Sequence, residues 1–265
     1  MKEFSIEELK TLQLDILLEV DNFCRSNNIQ YSLGYGTLIG AIRHKGYIPW
    51  DDDIDIIMTR SNYDKFIRSF NSSSKRLYVI SPELNWNYYA TYANVCDSRT
   101  ILDEGANGHN GVEVGVKIDI FPMDYIPQNQ VDELNVRSKI KFLNSLLEAK
   151  RYKLYNFGWK TKILFLINRV ISIFRTYASI QKQIHELATS FNDGDYVDNL
   201  VFYPKPLQTP VKYFDEYIDV DFEGYKLKSI KEYDAYLRQI YGDYMQLPPL
   251  EQQVPRHGFT AYWKA

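Results

Sequence analysis

The feature that most limits how this chain can fold is a run of alternating aspartates and isoleucines that starts at residue 51 and reads DDDIDIIM. Side chains alternate between the two faces of a β-strand. Asp53 and Asp55 therefore share one face, and Ile54 and Ile56 share the other. The pattern predicts a strand with a buried apolar face and a polar face that carries two carboxylates. If the extended backbone begins earlier, Asp51 joins the polar face.

Carboxylates on one strand face repel each other. At about 4–5 Å and an effective dielectric constant near 20, a pair costs roughly 4 kcal/mol unless a cation lies between the two groups. Because the ligand atoms are all oxygens, the expected ion is Mg2+ or Mn2+ rather than zinc. Mg2+ usually completes its shell with water and substrate phosphate, which indicates phosphoryl or nucleotidyl transfer. The alternative is a solvated acidic turn before an edge strand, and the isoleucines and nearby cations argue against it.

The segment before the aspartates is typical of a phosphate-binding turn. A short helix is expected to start at Thr37 and to end near Lys45. Phosphate binds readily to the free backbone N–H groups at a helix N-terminus, and a glycine at position 36 lets the backbone approach it. The predicted substrate-binding residues in this segment are Gly36, Thr37, Arg43, His44, Lys45 and Trp50.

A second acidic strand is predicted from residue 112 to residue 121, with Pro122 ending it. Asp119 lies between β-formers in this strand, where an aspartate without a partner would carry a desolvation penalty. We therefore expect Asp119 to be a metal ligand or a general base. Asp124, beyond the proline, is predicted to be a turn residue.

The twenty residues GTLIGAIRHKGYIPWDDDID, from Gly36 to Asp55, closely resemble the signature of the LicD/fukutin family of phosphotransferases. The resemblance implies an α/β (α+β) fold: a nucleotidyltransferase-like mixed sheet flanked by helices, with a helical insertion. The implied catalytic residues are Asp53, Asp55 and Asp119, which would hold Mg2+ (or Mn2+), with Asp51 as a further candidate ligand.

The resemblance also implies a reaction. A phospho-alcohol, with phosphocholine as the expectation, would move from a CDP-linked donor such as CDP-choline to a hydroxyl of a cell-surface glycan precursor, of the teichoic acid, capsule or lipopolysaccharide type. The alternative is a nucleotidyltransferase that moves NMP from an NTP to a small acceptor and releases pyrophosphate, because the same carboxylates serve both reactions. A third hypothesis is a catalytically silent glycan- or membrane-binding module.

Charge is distributed unevenly along the chain. Between Arg137 and Lys182 eleven lysines and arginines face a single acid, Glu148, although the 265-residue chain has a net charge of −3. We expect a catalytic core over residues 1–130, a basic helical insertion over 131–190, and C-terminal strands, a helix and a tail over 191–265 that complete the core. No recognition motif accompanies the basic charge, so nucleic acid is not an expected partner.

Residues 160–175, KTKILFLINRVISIFR, are too short and too charged to span a bilayer. They predict either a basic amphipathic helix on an anionic membrane surface, where a lipid-linked glycan is accessible, or a core helix with basic ends. The N-terminal helix has no signal-type apolar core, so the expected compartment is the cytoplasm, with peripheral contact at the inner face of the membrane if residues 160–175 bind lipid.

Local signals predict three further features. Ser5 and Glu8 form a capping box that opens a helix ending at Asn27. Glu223 and Gly224 indicate a hairpin turn. In the tail, Arg256 and His257 are expected to fold back over the site and bind phosphate, and an unconstrained terminus is the alternative.

Overall fold

Residues 3–103, 111–151, 159–202, 206–254 and 260–264 form a mixed α/β structure in the computed structural model of this chain. These described residues contain seven α-helices: α1 (Ile6–Ser26), α2 (Tyr35–His44), α3 (Arg60–Ser69), α4 (Gln130–Arg151), α5 (Trp159–Ile173), α6 (Tyr177–Ala188) and α7 (Tyr233–Tyr241). They also contain eleven strands: β1 (Ser32–Leu33), β2 (Asp55–Thr59), β3 (Leu77–Ile80), β4 (Ala93–Asp97), β5 (Thr100–Asp103), β6 (Lys117–Tyr125), β7 (Tyr196–Asp198), β8 (Thr209–Pro210), β9 (Tyr217–Phe222), β10 (Tyr225–Ile230) and β11 (Thr260–Trp263).

The central sheet has seven strands in the order β1-β2-β6-β4-β3, and β7 and β8 extend it beside the C-terminal end of β6. Strands β2 and β6 run parallel, while β1, β4 and β7 each run antiparallel to their neighbours. Two separate ribbons, β9–β10 and β5–β11, complete the strand pairing. The predicted mixed sheet flanked by helices is confirmed.

The main core lies between this sheet, α1, α2, α3 and the β9–β10 ribbon. Helix α1 begins as its sequence predicts, because the Ser5 hydroxyl accepts the Glu8 N–H at 3.2 Å and the Glu8 carboxylate accepts the Ser5 N–H at 2.8 Å. Its inner stripe includes Ile16 and Val20, both fully buried. The predicted hairpin also forms, with Glu223 (φ 50°) and Gly224 (φ 81°) at its turn.

The helices α4, α5 and α6 form the predicted helical insertion, with a small core of their own between α4, α6 and residues 200–201. A buried ion pair connects this unit to the sheet: an Arg137 guanidinium nitrogen lies 2.5 Å from the Asp198 carboxylate. From α6, the Gln181 amide donates to the Tyr88 and Ala90 carbonyls, both at 2.9 Å. The boundaries of the three predicted parts stay a prediction.

Within the described residues, no single helix is long and apolar enough to cross a membrane; residues 163–173 and 177–188 meet that requirement only as a pair bent by 102°.

Strand β6 differs from its prediction, because it continues through Pro122 to Tyr125. The Asp119 N–H donates to the carbonyl of Ile54, the residue just before β2, so it points to the β2 side of β6. Because these directions alternate along a strand, the nitrogen of residue 122 points to the opposite side. Pairing with β4 stops at Ile120 and pairing with β7 starts at Asp124, so the missing N–H of the proline faces the gap between them. The prediction that Asp124 is a turn residue was therefore wrong; it is a buried strand residue.

Candidate active site

Strands β2 and β6 bring two of the predicted carboxylates side by side. Asp55 is the register partner of Asp119 in the parallel pair, and the Asp119 N–H donates to Ile54 at 2.8 Å. Register partners on adjacent strands lie about 4.8 Å apart and present their side chains on the same face. Both aspartates are half-buried at the N-terminal start of the parallel pairing. Residues far apart in the chain thus contribute to one acidic site.

The loop before β2 supplies the remaining aspartates. Strand β2 begins at Asp55, two residues later than predicted, so Asp53 lies just outside it. Asp51, Asp52 and Asp53 each offer an oxygen, and these atoms lie within 4.8 Å of one another. Asp52 was not among the predicted ligands, because strict alternation placed it on the opposite face. The loop is not a strand, so alternation does not govern it.

Mutual repulsion affects the pKa of Asp55. Burial raises the pKa of the Asp55 carboxyl well above its usual range, and the charges of Asp53 and Asp119 raise it further. Asp51 adds to the same effect. A cluster of this kind, with oxygen donors and excess negative charge, fits a hard divalent cation.

Two residues missed by the sequence analysis hold Asp119 in place. The Lys117 ammonium lies 2.6 Å from Oδ1 of Asp119, and the Asn94 amide donates to the same oxygen at 2.5 Å. Burial opposes the charge on Lys117, but the attraction of Asp119 outweighs it and raises the pKa of the lysine well above its usual value. Because Lys117 is two residues from Asp119 on the same strand, side-chain alternation could have identified it as a neighbour of that carboxylate. No sequence pattern indicated Asn94 as a site residue, because only the pairing of β4 with β6 brings it next to Asp119.

The N-terminus of α2 is attached directly to the acidic strand. The Thr37 hydroxyl accepts the Asp55 N–H at 2.8 Å, which fixes the first helical turn beside β2. A Cβ on Gly36 would lie 2.7 Å from Oδ2 of Asp51, so a side chain here would displace that carboxylate. The helix begins at Tyr35, two residues earlier than predicted, and this residue has a φ of 43°. Strained backbone of this kind clusters at functional sites.

The predicted basic residues lie at the other end of α2. The Arg43 guanidinium donates to the backbone carbonyls of Tyr244 (2.6 Å) and Gln246 (3.3 Å), and its Nε donates to the ring of His44 at 2.9 Å. Burial lowers the pKa of His44, and the charge of Arg43 lowers it further. Lys45 is exposed at the C-cap of α2. Thus Arg43 attaches the C-terminal segment to α2.

A cleft of about 580 Å³ connects the acidic loop to this basic end. Its lining includes Gly36, Ile39, Arg43, Trp50, Asp51, Tyr244 and Pro248. The cleft therefore brings together Gly36, Arg43, Trp50 and Asp51 from the predicted set. His44 is adjacent to it, since its ring lies 6.3 Å from that of Trp50. The predicted residues Arg256 and His257 lie outside the described residues.

A smaller pocket of about 190 Å³ lies between α4, the loop before β4 (residues 89–92) and residues 201–202. Tyr92 contributes to its wall, and its ring centroid lies 4.3 Å from that of Phe121 and 5.4 Å from that of Phe202. Burial raises the pKa of Tyr92 well above its usual value, and the charge of Asp119 raises it further. This aromatic wall therefore lies close enough to the acidic site to be influenced by its charge.

A family model described as "LicD/FKTN/FKRP, nucleotidyltransferase domain" matches residues 28–148, which include the acidic loop, both acidic strands and α2. The fold and the site thus define a phosphotransferase of the nucleotidyltransferase-like class.

Comparison with individual proteins agrees with that class. The chain is 29% identical to the lipopolysaccharide cholinephosphotransferase LicD of Haemophilus influenzae over 269 residues, covering 99% of both chains. Uncharacterized proteins of Rickettsia typhi and Rickettsia prowazekii share 44% and 42% identity over 57 residues; these matches cover 21% of this chain and 18% and 21% of those proteins. The chain is therefore similar to the LicD/fukutin proteins in its nucleotidyltransferase domain and to a LicD cholinephosphotransferase over its whole length, and it is a phosphotransferase.

Proposed function

We propose that this enzyme transfers phosphocholine from CDP-choline to a hydroxyl of a cell-surface glycan precursor, with a lipopolysaccharide-type acceptor as the first candidate. The observation that carries the proposal is the in-register pair of Asp55 and Asp119 beside a cleft large enough for a nucleotide. End-to-end similarity to a cholinephosphotransferase supports the choice of phosphocholine. We place the reaction in the cytoplasm, with the acceptor reached at the inner face of the membrane.

The cleft suits the nucleotide part of the donor. Trp50, which is half-buried in the cleft wall, offers a ring surface on which a base can stack. At its inner end, the first turn of α2 offers N–H groups that bind phosphate at Gly36 and Thr37. Arg43 adds positive charge to the same wall. Lys45, exposed at the far end of α2, would act on phosphate only through long-range attraction.

The carboxylates suit Mg2+, with Mn2+ as a substitute. In this proposal Asp53, Asp55 and Asp119 are the ligands, and Asp51 is a fourth. The ion would neutralise charge on the diphosphate and on the departing CMP. The chain itself supplies an oxygen-only cluster whose like charges are brought close together by β2, β6 and the loop before β2.

The smaller pocket suits the choline group. Quaternary ammonium groups bind aromatic ring faces, and Tyr92 and Phe202 provide such faces near the acidic site. The lining also carries one negative charge, on Glu148, and one positive charge, on Arg151, so the aromatic faces are the main support for this assignment.

Asp119 is the proposed proton acceptor for the acceptor hydroxyl when the other aspartates hold the metal and its carboxylate is free of the ion. Lys117 and Asn94 bind one of its oxygens and thereby orient the carboxylate. Loss of the proton from the acceptor hydroxyl to Asp119 generates the attacking oxygen. This oxygen forms a bond to the phosphorus of the phospho-alcohol, and the bond from that phosphorus to the CMP oxygen breaks.

The test measures CMP release from CDP-choline and, in separate assays, from CDP-ribitol and CDP-glycerol as alternative donors. We expect Mg2+-dependent CMP release that EDTA abolishes and that Asp55→Asn and Asp119→Asn reduce by roughly a thousandfold. Asp193→Asn, an exposed aspartate outside the site, is the matched control and should retain activity.

Two outcomes would contradict the proposal. Pyrophosphate release from CTP and phosphocholine, without CMP release from CDP-choline, would favour the nucleotidyltransferase alternative. Equal activity of the Asp55 variant and the wild type would remove the acidic site from the reaction.

A further inference from the structure

Helix α5 presents an apolar face to the outside of the molecule. Six apolar side chains are more than half exposed, with exposed fractions from 51% to 85%. Five are in α5 and the sixth, Phe174, follows it: Ile163, Leu164, Ile167, Val170, Ile173 and Phe174. At about 100° per residue these positions cover roughly half of the helix circumference. An apolar surface of this extent marks an interaction site.

The inner face of α5 explains why the apolar face points outward. Asn168 and Ser172 are buried toward α4, and the Asn168 amide donates to the Ser145 hydroxyl at 3.0 Å. Phe165 is the buried aromatic side chain of this face. The Ser172 hydroxyl donates to the Arg169 carbonyl of its own helix, so the inner face of α5 combines these polar groups with Phe165.

Positive charge borders the exposed face. Arg169 is exposed along one edge of the apolar arc, and the half-buried Arg175 follows the helix, in the turn before α6. On the neighbouring helix α4, Lys139 and Lys141 are exposed, together with Phe142, which is 45% exposed. Apolar residues bordered by lysines and arginines are the composition of helices that lie in the headgroup region of anionic membranes.

We propose that the α5 face, defined as the six residues above with Arg169 and Arg175, docks on the surface of an anionic phospholipid bilayer. The apolar side chains would enter the headgroup and acyl boundary, while the arginines stay at headgroup level. Charge argues against a second copy of this chain as the occupant. A twofold contact would bring the strongly basic segment from Arg137 to Lys182 against itself.

The test is sedimentation with vesicles of phosphatidylglycerol mixed with phosphatidylcholine, compared with phosphatidylcholine alone. We expect binding to the anionic vesicles that weakens with salt. The double variant Ile167→Asp/Val170→Asp should reduce the partition coefficient by about tenfold or more, because two exposed apolar groups become charged. Ile6→Asp is the matched control: Ile6 is 41% exposed at the start of α1, and its variant should bind as the wild type does.

Thermal unfolding of both variants shows that they are folded, and exposure at all three positions predicts melting temperatures near that of the wild type. Three results would overturn the proposal: no binding to anionic vesicles, equal binding by the double variant and the wild type, or a wild-type dimer in solution that the double variant converts to monomers. The assay needs neither donor nor acceptor, so its result is independent of the proposed reaction.

Discussion

Lys117 shows how a single side chain affects the stability of the acidic site. It occupies the same strand face as Asp119 and contacts its carboxylate at 2.6 Å, with only 15% of its side chain exposed. Asp55, the register partner of Asp119, has a raised pKa because of burial and neighbouring acids. Lys117 therefore provides a permanent positive charge next to a group of carboxylates that repel each other.

Replacing Lys117 with methionine keeps most of the packing and removes the charge. We expect Lys117→Met to lower the free energy of unfolding in EDTA by about 3 kcal/mol, because the pair is largely buried. Added Mg2+ should raise the melting temperature of this variant more than that of the wild type, because the ion replaces the lost charge. The measurement is thermal unfolding with and without Mg2+. Lys75→Met, an exposed lysine, is the control, and an equal Mg2+ effect in all three proteins would contradict the prediction.

At the scale of elements, the junction between α2 and β2 positions the site. One bond from the Asp55 N–H to the Thr37 hydroxyl links the first turn of α2 to the acidic strand. At the opposite end of α2, Arg43 binds the carbonyls of Tyr244 and Gln246. The helix is thus fixed at both ends, which preserves the shape of the cleft beside it.

Thr37→Val tests this junction, since valine has nearly the same shape and lacks the hydroxyl. We expect a loss of about 1–2 kcal/mol in the free energy of unfolding, because the Asp55 N–H loses its acceptor. Thr37→Ser retains the hydroxyl and should restore most of that stability. Urea unfolding of the three proteins measures the difference. Equal destabilisation by serine and valine would show that the methyl group, rather than the hydrogen bond, is responsible.

At the scale of the molecule, one buried carboxylate connects the helical unit to the sheet. Asp198, in β7, pairs with Arg137 of α4 and accepts the backbone N–H groups of Asn199 (2.7 Å) and Leu207 (2.8 Å). Burial nevertheless raises the pKa of Asp198 to about 6, with the attraction of Arg137 acting in the opposite direction.

This pKa predicts a pH dependence of stability. Between about pH 4 and pH 6 the folded protein retains a proton on Asp198 that the unfolded chain releases, so the contribution of this group falls as the pH rises through that range. We expect the free energy of unfolding of the wild type, minus that of Asp198→Asn, to decrease by about 1–3 kcal/mol from pH 4 to pH 7. Urea unfolding at both pH values measures it. An increase over the same range would show that ion pairing outweighs burial.

Local chemistry allowed several elements to be predicted from the sequence. The capping box at Ser5 sets the start of α1, and Glu223 and Gly224 set the turn of the β9–β10 hairpin. Alternation identified Asp55 on a strand, and a charged residue within an apolar strand identified Asp119. These features depend on residues a few positions apart, whose chemistry the sequence shows directly.

Strand pairing and packing decided the rest. The register that sets Asp119 beside Asp55 and Asn94 depends on which strands become neighbours. The gap between β4 and β7 lets β6 continue through Pro122, because no partner there needs the missing N–H. The outward apolar face of α5 follows from the packing of α5 on α4, where the Asn168 amide bonds to the Ser145 hydroxyl. The sequence specifies which groups each segment carries, and only the folded structure determines which groups meet, because those contacts join residues far apart in the chain.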